Sequence, residues 1–129
     1  MNKVNMKEVL TVSGEFEENP KKFYYKANVV RVVDGDTLDV EIDMGFHIGC
    51  RQRLRLMGVD TPEISTPEGK GIKAILQELL EGKTYKIYTI KPDKYGRYLF
   101  DLLISSELGW LSDYMISHKY AVKYDGGQK

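Results

Sequence analysis

Three carboxylates, Asp34, Asp36 and Asp39, fall within six positions of the stretch VDGDTLDVEI (33–42), beside apolar residues that alternate as in a β-strand. Strands are normally depleted in Asp and Gly, so acids at this spacing need a reason to be there. Asp-Gly between two apolar runs is a hairpin signal, and turn formation is one such reason. The charge layout around the stretch offers another. From Asp34 to Cys50 there are five acids and no Lys or Arg, whereas Arg51 to Phe100 holds ten basic residues against six acids. An acidic strand is thus followed directly by the basic strand RQRLRL. An anion held beside a cation would suit that order, and so would two solvated strand faces.

The elements that must position these groups follow from periodicity. FYYKANVVRVV is aromatic and β-branched, TLDVEID alternates with period two, and RQRLRLMG alternates Arg with Leu, so each reads as a strand. TPEISTPEGKG is loop punctuated by Pro and Gly. Ile72, Ile75, Leu76, Leu79 and Leu80 form one stripe of an amphipathic helix that Gly82 closes. KTYKIYTI and RYLFDLLI are two further strands around the turn KPDKYG, and GWLSDYMISHKYAV reads as a second helix with Trp110, Leu111, Tyr114, Met115 and His118 on its apolar side. Five strands with a helix after the third match an OB-type barrel, a mainly β fold of the α+β class whose grooves bind oligonucleotides.

Composition narrows the chemistry. At 129 residues the chain is about one domain: a weakly ordered arm over 1–20 and a folded unit over 21–129. Lys plus Arg equals Asp plus Glu at 19 each, which speaks against coating nucleic acid by sheer basicity. A lone Cys50 excludes an internal disulfide, and two histidines beside it make no zinc-type cluster. Cys50 is expected as a small packed or turn thiol, and His118 as a structural histidine. The sequence shows no signal-peptide core and no membrane span, so a cytoplasmic protein without membrane contact, monomeric by default, is expected. An EF-hand loop starting at Asp34 would need Gly at its sixth position and Glu at its twelfth, where Asp39 and Gly45 stand. EGKG is no phosphate loop, because Ile64 stands where the first Gly should be and no Ser or Thr follows Lys70.

What remains is dispersed over three loops: DGDT at 34–37, RLMGVDTPE at 55–63 and DKYGR at 93–97. In this order, with these elements between them, they resemble the staphylococcal nuclease (thermonuclease) family over roughly Tyr25 to the C-terminus. The resemblance implies an OB barrel and calcium-dependent hydrolysis of DNA and RNA phosphodiesters, with the 5′ oxygen leaving to give 3′-phosphate products. It implies Asp36, Asp60 and the Thr61 carbonyl as Ca2+ ligands, Glu63 as the acid beside the attacking water, and Arg55 and Arg97 on the scissile phosphate. Lys94 and Tyr95 become candidate substrate contacts, while Asp34 and Asp93 remain turn formers. The chemistry agrees: Ca2+ prefers carboxylate, carbonyl and water oxygens, and planar guanidinium forks suit the charge that grows on phosphate oxygens. Pro62 stiffens the loop that presents Glu63. Crowding of Asp36, Asp60 and Glu63 is expected to strain the metal-free site by like-charge repulsion.

Three features depart from the family's secreted members. The segment between Thr37 and Arg55, with DMGFHIGC, is longer; the sequence ends at AVKYDGGQK without a counterpart to a third helix; and Lys119 or its neighbour stands where Gly is usual after the second helix. The alternative to an enzyme is a catalytically silent OB module that binds single-stranded nucleic acid or a protein partner. Presence of all six site positions favours the enzyme.

Overall fold

A computed structural model of the chain describes residues 22–92 and 97–124. The expected arm over 1–20 and the candidate substrate contacts Lys94 and Tyr95 lie outside the described residues. Five long strands, β1 (Phe23–Asp34), β2 (Thr37–Asp43), β3 (Gly49–Leu56), β5 (Thr84–Pro92) and β6 (Tyr98–Ser105), carry the fold. They pair in the order β3-β2-β1-β5-β6, and a parallel pairing of β3 with β6 closes the barrel. Two short strands, β4 (Val59–Asp60) and β8 (Val122–Lys123), pair with each other beside it, and β7 (Gly109–Trp110) extends β6. The architecture is the α+β OB barrel expected, with α1 (Pro67–Leu80) after the third long strand and α2 (Leu111–Ser117) near the C-terminal end.

Period-two alternation fills the barrel. Leu38, Val40 and Ile42 of β2 and Leu54 and Leu56 of β3 point inward and are almost wholly buried, together with Val29, Val32, Ile87, Phe100 and Leu102. On β3 this sends Arg51, Arg53 and Arg55 to the outer face. The β1–β2 register shifts between Val29 and Arg31, so β1 carries a bulge that lets it coil into the barrel. The strand end is fastened there by the loop after α1: Glu81 Oε2 accepts the Val32 N–H at 2.8 Å, and Gly82, at φ 79°, donates its N–H to the Val29 carbonyl at 2.8 Å.

Helix α1 starts five residues earlier than its first apolar-stripe residue, because capping rather than hydrophobicity sets its start. Thr66 is the N-cap, its side chain accepting the Gly69 N–H at 3.0 Å, with Pro67 in the first turn and Glu68 close behind. Its buried face is Gly69, Ile72, Leu76 and Leu80, while Ile75 is 38% exposed and lies off the stripe assigned to it. Helix α2 is shorter than its apolar pattern predicts. Trp110 belongs to β7, and His118 is its exposed C-cap, stacked between Tyr114 and Tyr120. Lys119 then takes φ 63°, the left-handed conformation for which Gly is suited.

Candidate functional site

Two loops meet at the open end of the β2–β3 pair. The first is the β1–β2 turn, where Asp34 Oδ1 accepts the Asp36 N–H at 3.1 Å, a local Asx turn, and the Asp36 carbonyl accepts the Leu56 N–H at 2.8 Å. The second runs from β4 through Thr61 to the cap of α1. They touch at Gly35, where a Cβ would lie 2.8 Å from Thr61 Oγ1, so only glycine permits this approach. Thr61 Oγ1 donates to Asp36 Oδ2 at 3.1 Å, and Thr37 Oγ1 donates to Asp36 Oδ1 at 3.2 Å.

Arg55 organises the pair. Its Nη1 donates to the carbonyls of Leu56 at 2.7 Å and Val59 at 3.0 Å, which fixes the guanidinium against the turn that leads to Asp60. From there Nη1 lies 3.6 Å from Asp36 and Nη2 lies 3.9 Å from Asp60. One guanidinium therefore gathers both carboxylates. Its side chain is only 11% exposed, as is fitting for a group covered by the Tyr124 ring, whose centroid is 5.6 Å from Cζ. Tyr124 is held in turn by its N–H on the Gly58 carbonyl at 3.0 Å, just beyond the β4–β8 pair. The sequence reading missed Tyr124; the signal available was an aromatic after a short β-prone run, which is too common to single out.

Burial and charge act on these acids in opposite directions. The Asp36 carboxyl is pushed above the ordinary range, first by burial and next by its contact with Asp34, against the opposing pull of Arg55 and Thr61. For Asp36 desolvation therefore comes first, and the acid that acts on it most strongly is Asp34. Asp39, on the outer face, is held below the ordinary range by its hydrogen bond from Arg53.

Glu63 shares the second loop, and its carboxylate is exposed. Its backbone is rigidly placed: the carbonyl accepts Thr66 Oγ1 at 2.6 Å and the Thr66 N–H at 3.0 Å, and Gly69 packs so tightly on that carbonyl that no side chain fits there. Half-buried Arg97 immediately precedes Tyr98, the β6 residue paired with Leu54. Alternation places it on the same face as Leu99, which pairs with Arg55. Asp36, Asp60, Thr61 and Arg55 are therefore brought into one cluster. Glu63 and Arg97 stand on elements that border it.

Among the described residues no three Asp, Glu, His or Cys side chains form a ready-made metal cage. Asp36 and Asp60, with the hydroxyl and carbonyl oxygens of the two loops, make a donor set of hard oxygens. That set suits calcium- or magnesium-type ions and not soft thiophilic ones. A cleft of about 610 Å3 lies beyond Tyr124, lined by Met57, Tyr88, Asp101 and Asp113 among others, and contains neither Asp36 nor Asp60.

Comparison with known proteins accords with this arrangement. A family model described as staphylococcal nuclease homologue matches residues 53–128, more than half of the chain. A thermonuclease of Staphylococcus hyicus is 33% identical over 111 residues, covering 77% of this chain and 62% of that protein. An uncharacterized endonuclease of Escherichia coli O157:H7 is 37% identical over 71 residues, 55% of this chain and 43% of its own length. A probable staphylococcal-like nuclease of Oryza sativa subsp. japonica is 40% identical over 52 residues, 40% of this chain and 16% of its own length. The chain thus spans less than two-thirds of the length of these curated relatives. With the barrel, the loop pair and the family match in agreement, this chain belongs to the staphylococcal nuclease homologue family.

Proposed function

We propose that the chain is a nuclease, a phosphodiesterase that hydrolyses DNA or RNA with the help of Ca2+. The observation that carries this reading is the convergence of Asp36 and Asp60 on one guanidinium, 3.6 and 3.9 Å away, at the junction of two loops rich in oxygen donors. A mostly buried acid, Asp36, that shares one guanidinium with the more exposed Asp60 at the end of an OB barrel is costly as mere structure and useful as a place for a cation and a phosphate. Asp36, Asp60 and the Thr61 carbonyl would hold the ion, which when bound supplies positive charge against the negative charge that develops on the phosphate oxygens.

The chain's own groups do the rest. Arg55, preset by two carbonyls, needs little reorganisation to donate to a phosphate oxygen, and Arg97 approaches from the neighbouring strand. Glu63, on a loop whose backbone is clamped to Thr66, orients the attacking water and takes its proton as the bond to phosphorus forms in line with the departing 5′ oxygen. The bond from phosphorus to the 5′ oxygen breaks, that oxygen takes a proton from solvent, and the phosphate stays on the 3′ side. Parallel digestion of single- and double-stranded DNA and of RNA with calcium, with magnesium and with chelator tests the proposal. Calcium-dependent cleavage, with magnesium poorer because the loose oxygen site is not a strict octahedron, supports it. Binding without cleavage under every ion would instead support a silent OB module.

A further inference from the structure

The β2–β3 hairpin ends in a tip that the site does not use. Phe46 is 93% exposed, flanked by Met44 at 47% and Ile48 at 57%. Gly45, Phe46 and His47 are consecutively left-handed, with φ of 79°, 56° and 60°, a conformation unfavourable for L side chains and rarely adopted by bulky ones. The loop is nevertheless well tied. Gly45 donates its N–H to Asp43 Oδ1 at 2.9 Å, Met44 to the Ile48 carbonyl at 2.9 Å, and Ile48 to the Gly45 carbonyl at 2.9 Å. A strained backbone that presents an aromatic ring to solvent, where Gly or Asn would relieve the strain, is the pattern of a contact element.

The shaft below the tip indicates what it meets. Arg51, Arg53 and Arg55 occupy alternate positions on the outer face of β3, and Arg31 joins them from β1. Arg51, Arg53 and Arg31 are 64%, 51% and 56% exposed, and among the described residues they share two acids, Glu41 and Asp39. The Arg51–Glu41 pair, open on both sides, contributes little, so a polyanion can exchange into it at small cost, while Arg53 holds the mostly covered Asp39 through two donors and still exposes half of its own side chain. Successive same-face residues lie roughly 6.8 Å apart, and the run from Gly49 to Arg55 covers about 20 Å of strand. A protein partner for an apolar tip would not call for an arginine row that leads into the phosphate site; a nucleic-acid strand would.

We propose that the β2–β3 hairpin is a gripping arm for single-stranded nucleic acid, in which Arg51 and Arg53 follow the backbone leading to Arg55 and the Phe46 ring stacks on, or wedges between, bases beyond the far end of that run of roughly 20 Å. The inference rests on the nucleic-acid reading of the site, but its test does not need cleavage. Anisotropy of a labelled 12-nucleotide single strand is measured in chelator, and KM and kcat are measured on that strand and on a dinucleotide too short to reach the tip. Because Phe46 contacts solvent, Phe46→Ala should melt like wild type. It should bind the long strand about tenfold more weakly, with Phe46→Trp restoring affinity. KM on the long strand should rise by a similar factor, with kcat and all dinucleotide kinetics unchanged. Arg51→Ala and Arg53→Ala should each lower the salt dependence of binding, by about 0.7 in the slope of log K against log salt. Equal affinity of Phe46→Ala and wild type for the long strand overturns the arm. So does a change in sedimentation mass on the same substitution, which would make the tip a contact between copies of the chain. Tip-dependent binding in a protein that cleaves nothing would leave the arm standing and refute only the nuclease reading; cleavage with an unchanged KM would do the reverse.

Discussion

Asp36 and Asp101 are both carboxylates withdrawn from water, and in both burial is the first cause that lifts the carboxyl above its ordinary range. Their surroundings differ in kind. Asp101, 3% exposed on β6, spends its oxygens on the start of α2: Oδ1 accepts the N–H groups of Leu102 at 2.9 Å and Ser112 at 3.1 Å, and Oδ2 accepts Ser112 Oγ at 2.5 Å. The N-cap residue of α2, Trp110, has no side chain able to cap, so an acid from another strand does the capping and complements the helix dipole. Asp36 accepts from two hydroxyls that can turn away, and it shares Arg55 with a second acid. An acid fixed by backbone donors is structural. An acid beside adaptable donors, a second carboxylate and a clamped guanidinium is arranged to receive something.

That contrast breaks first on activity. Arg55→Lys and Arg97→Lys should each lower kcat about a hundredfold or more, the scale of one lost oxyanion donor, since lysine cannot reproduce the planar fork. Glu63→Gln should cost about 10² in turnover with little change in nucleotide affinity. Ser112→Ala, acting on the other acid, should leave kcat unchanged. Single-turnover rates on one oligonucleotide decide the matter, and an inactive Ser112→Ala beside an active Arg55→Lys would reverse the two assignments.

Stability should show the opposite order. Asp101→Ala strands buried donors of Leu102 and Ser112 and should cost about 2 to 3 kcal/mol in urea unfolding, with activity retained in the folded fraction. The pH response has a definite sign. Because folding raises the Asp101 carboxyl, between its ordinary value and its native value the folded chain holds a proton that the unfolded chain has released. Its contribution therefore favours folding most below that window and is lost as pH rises through it. Asp101→Asn, which cannot titrate, should flatten that part of the stability profile; an unchanged slope would show that the group does not titrate there.

The smallest effect concerns the backbone. Lys119, at φ 63°, follows α2 where glycine would be unstrained, so Lys119→Gly should raise stability by roughly 0.5 to 1 kcal/mol. A loss of stability would mean that the lysine side chain contributes more than its backbone costs.

The barrel and much of the site could be read from residues because each depends on local chemistry. Alternation in TLDVEID and RQRLRL shows which side chains face inward, and Asp36 is out of place in a strand by residue type alone, whereas Asp60 and Arg55 are legible only through the resemblance carried by DGDT, RLMGVDTPE and DKYGR. What stayed hidden depends on pairings remote in sequence. The Asp101–Ser112 cap joins residues 11 apart through a helix start. Tyr124 reaches Arg55 only because β8 returns to pair with β4. Gly35 and Gly69 look like turn glycines in the sequence, yet each is required by a close approach to the second loop, at Thr61 and at the Glu63 carbonyl. The outward Phe46 follows from backbone dihedrals that the residue types GFH do not announce.

The central claim, that Asp36 is kept at this position to bind a cation, is tested most directly by urea titration of wild type and Asp36→Asn, each with chelator and with calcium. Without the ion, replacing the buried acid removes a desolvation cost larger than the help from Arg55, so the mutant should be more stable by roughly 0.5 to 2 kcal/mol. Calcium should then stabilise wild type through binding linkage and the mutant much less. A mutant less stable than wild type in chelator, with a calcium shift equal to that of wild type, would contradict the account and return Asp36 to the role of a turn residue.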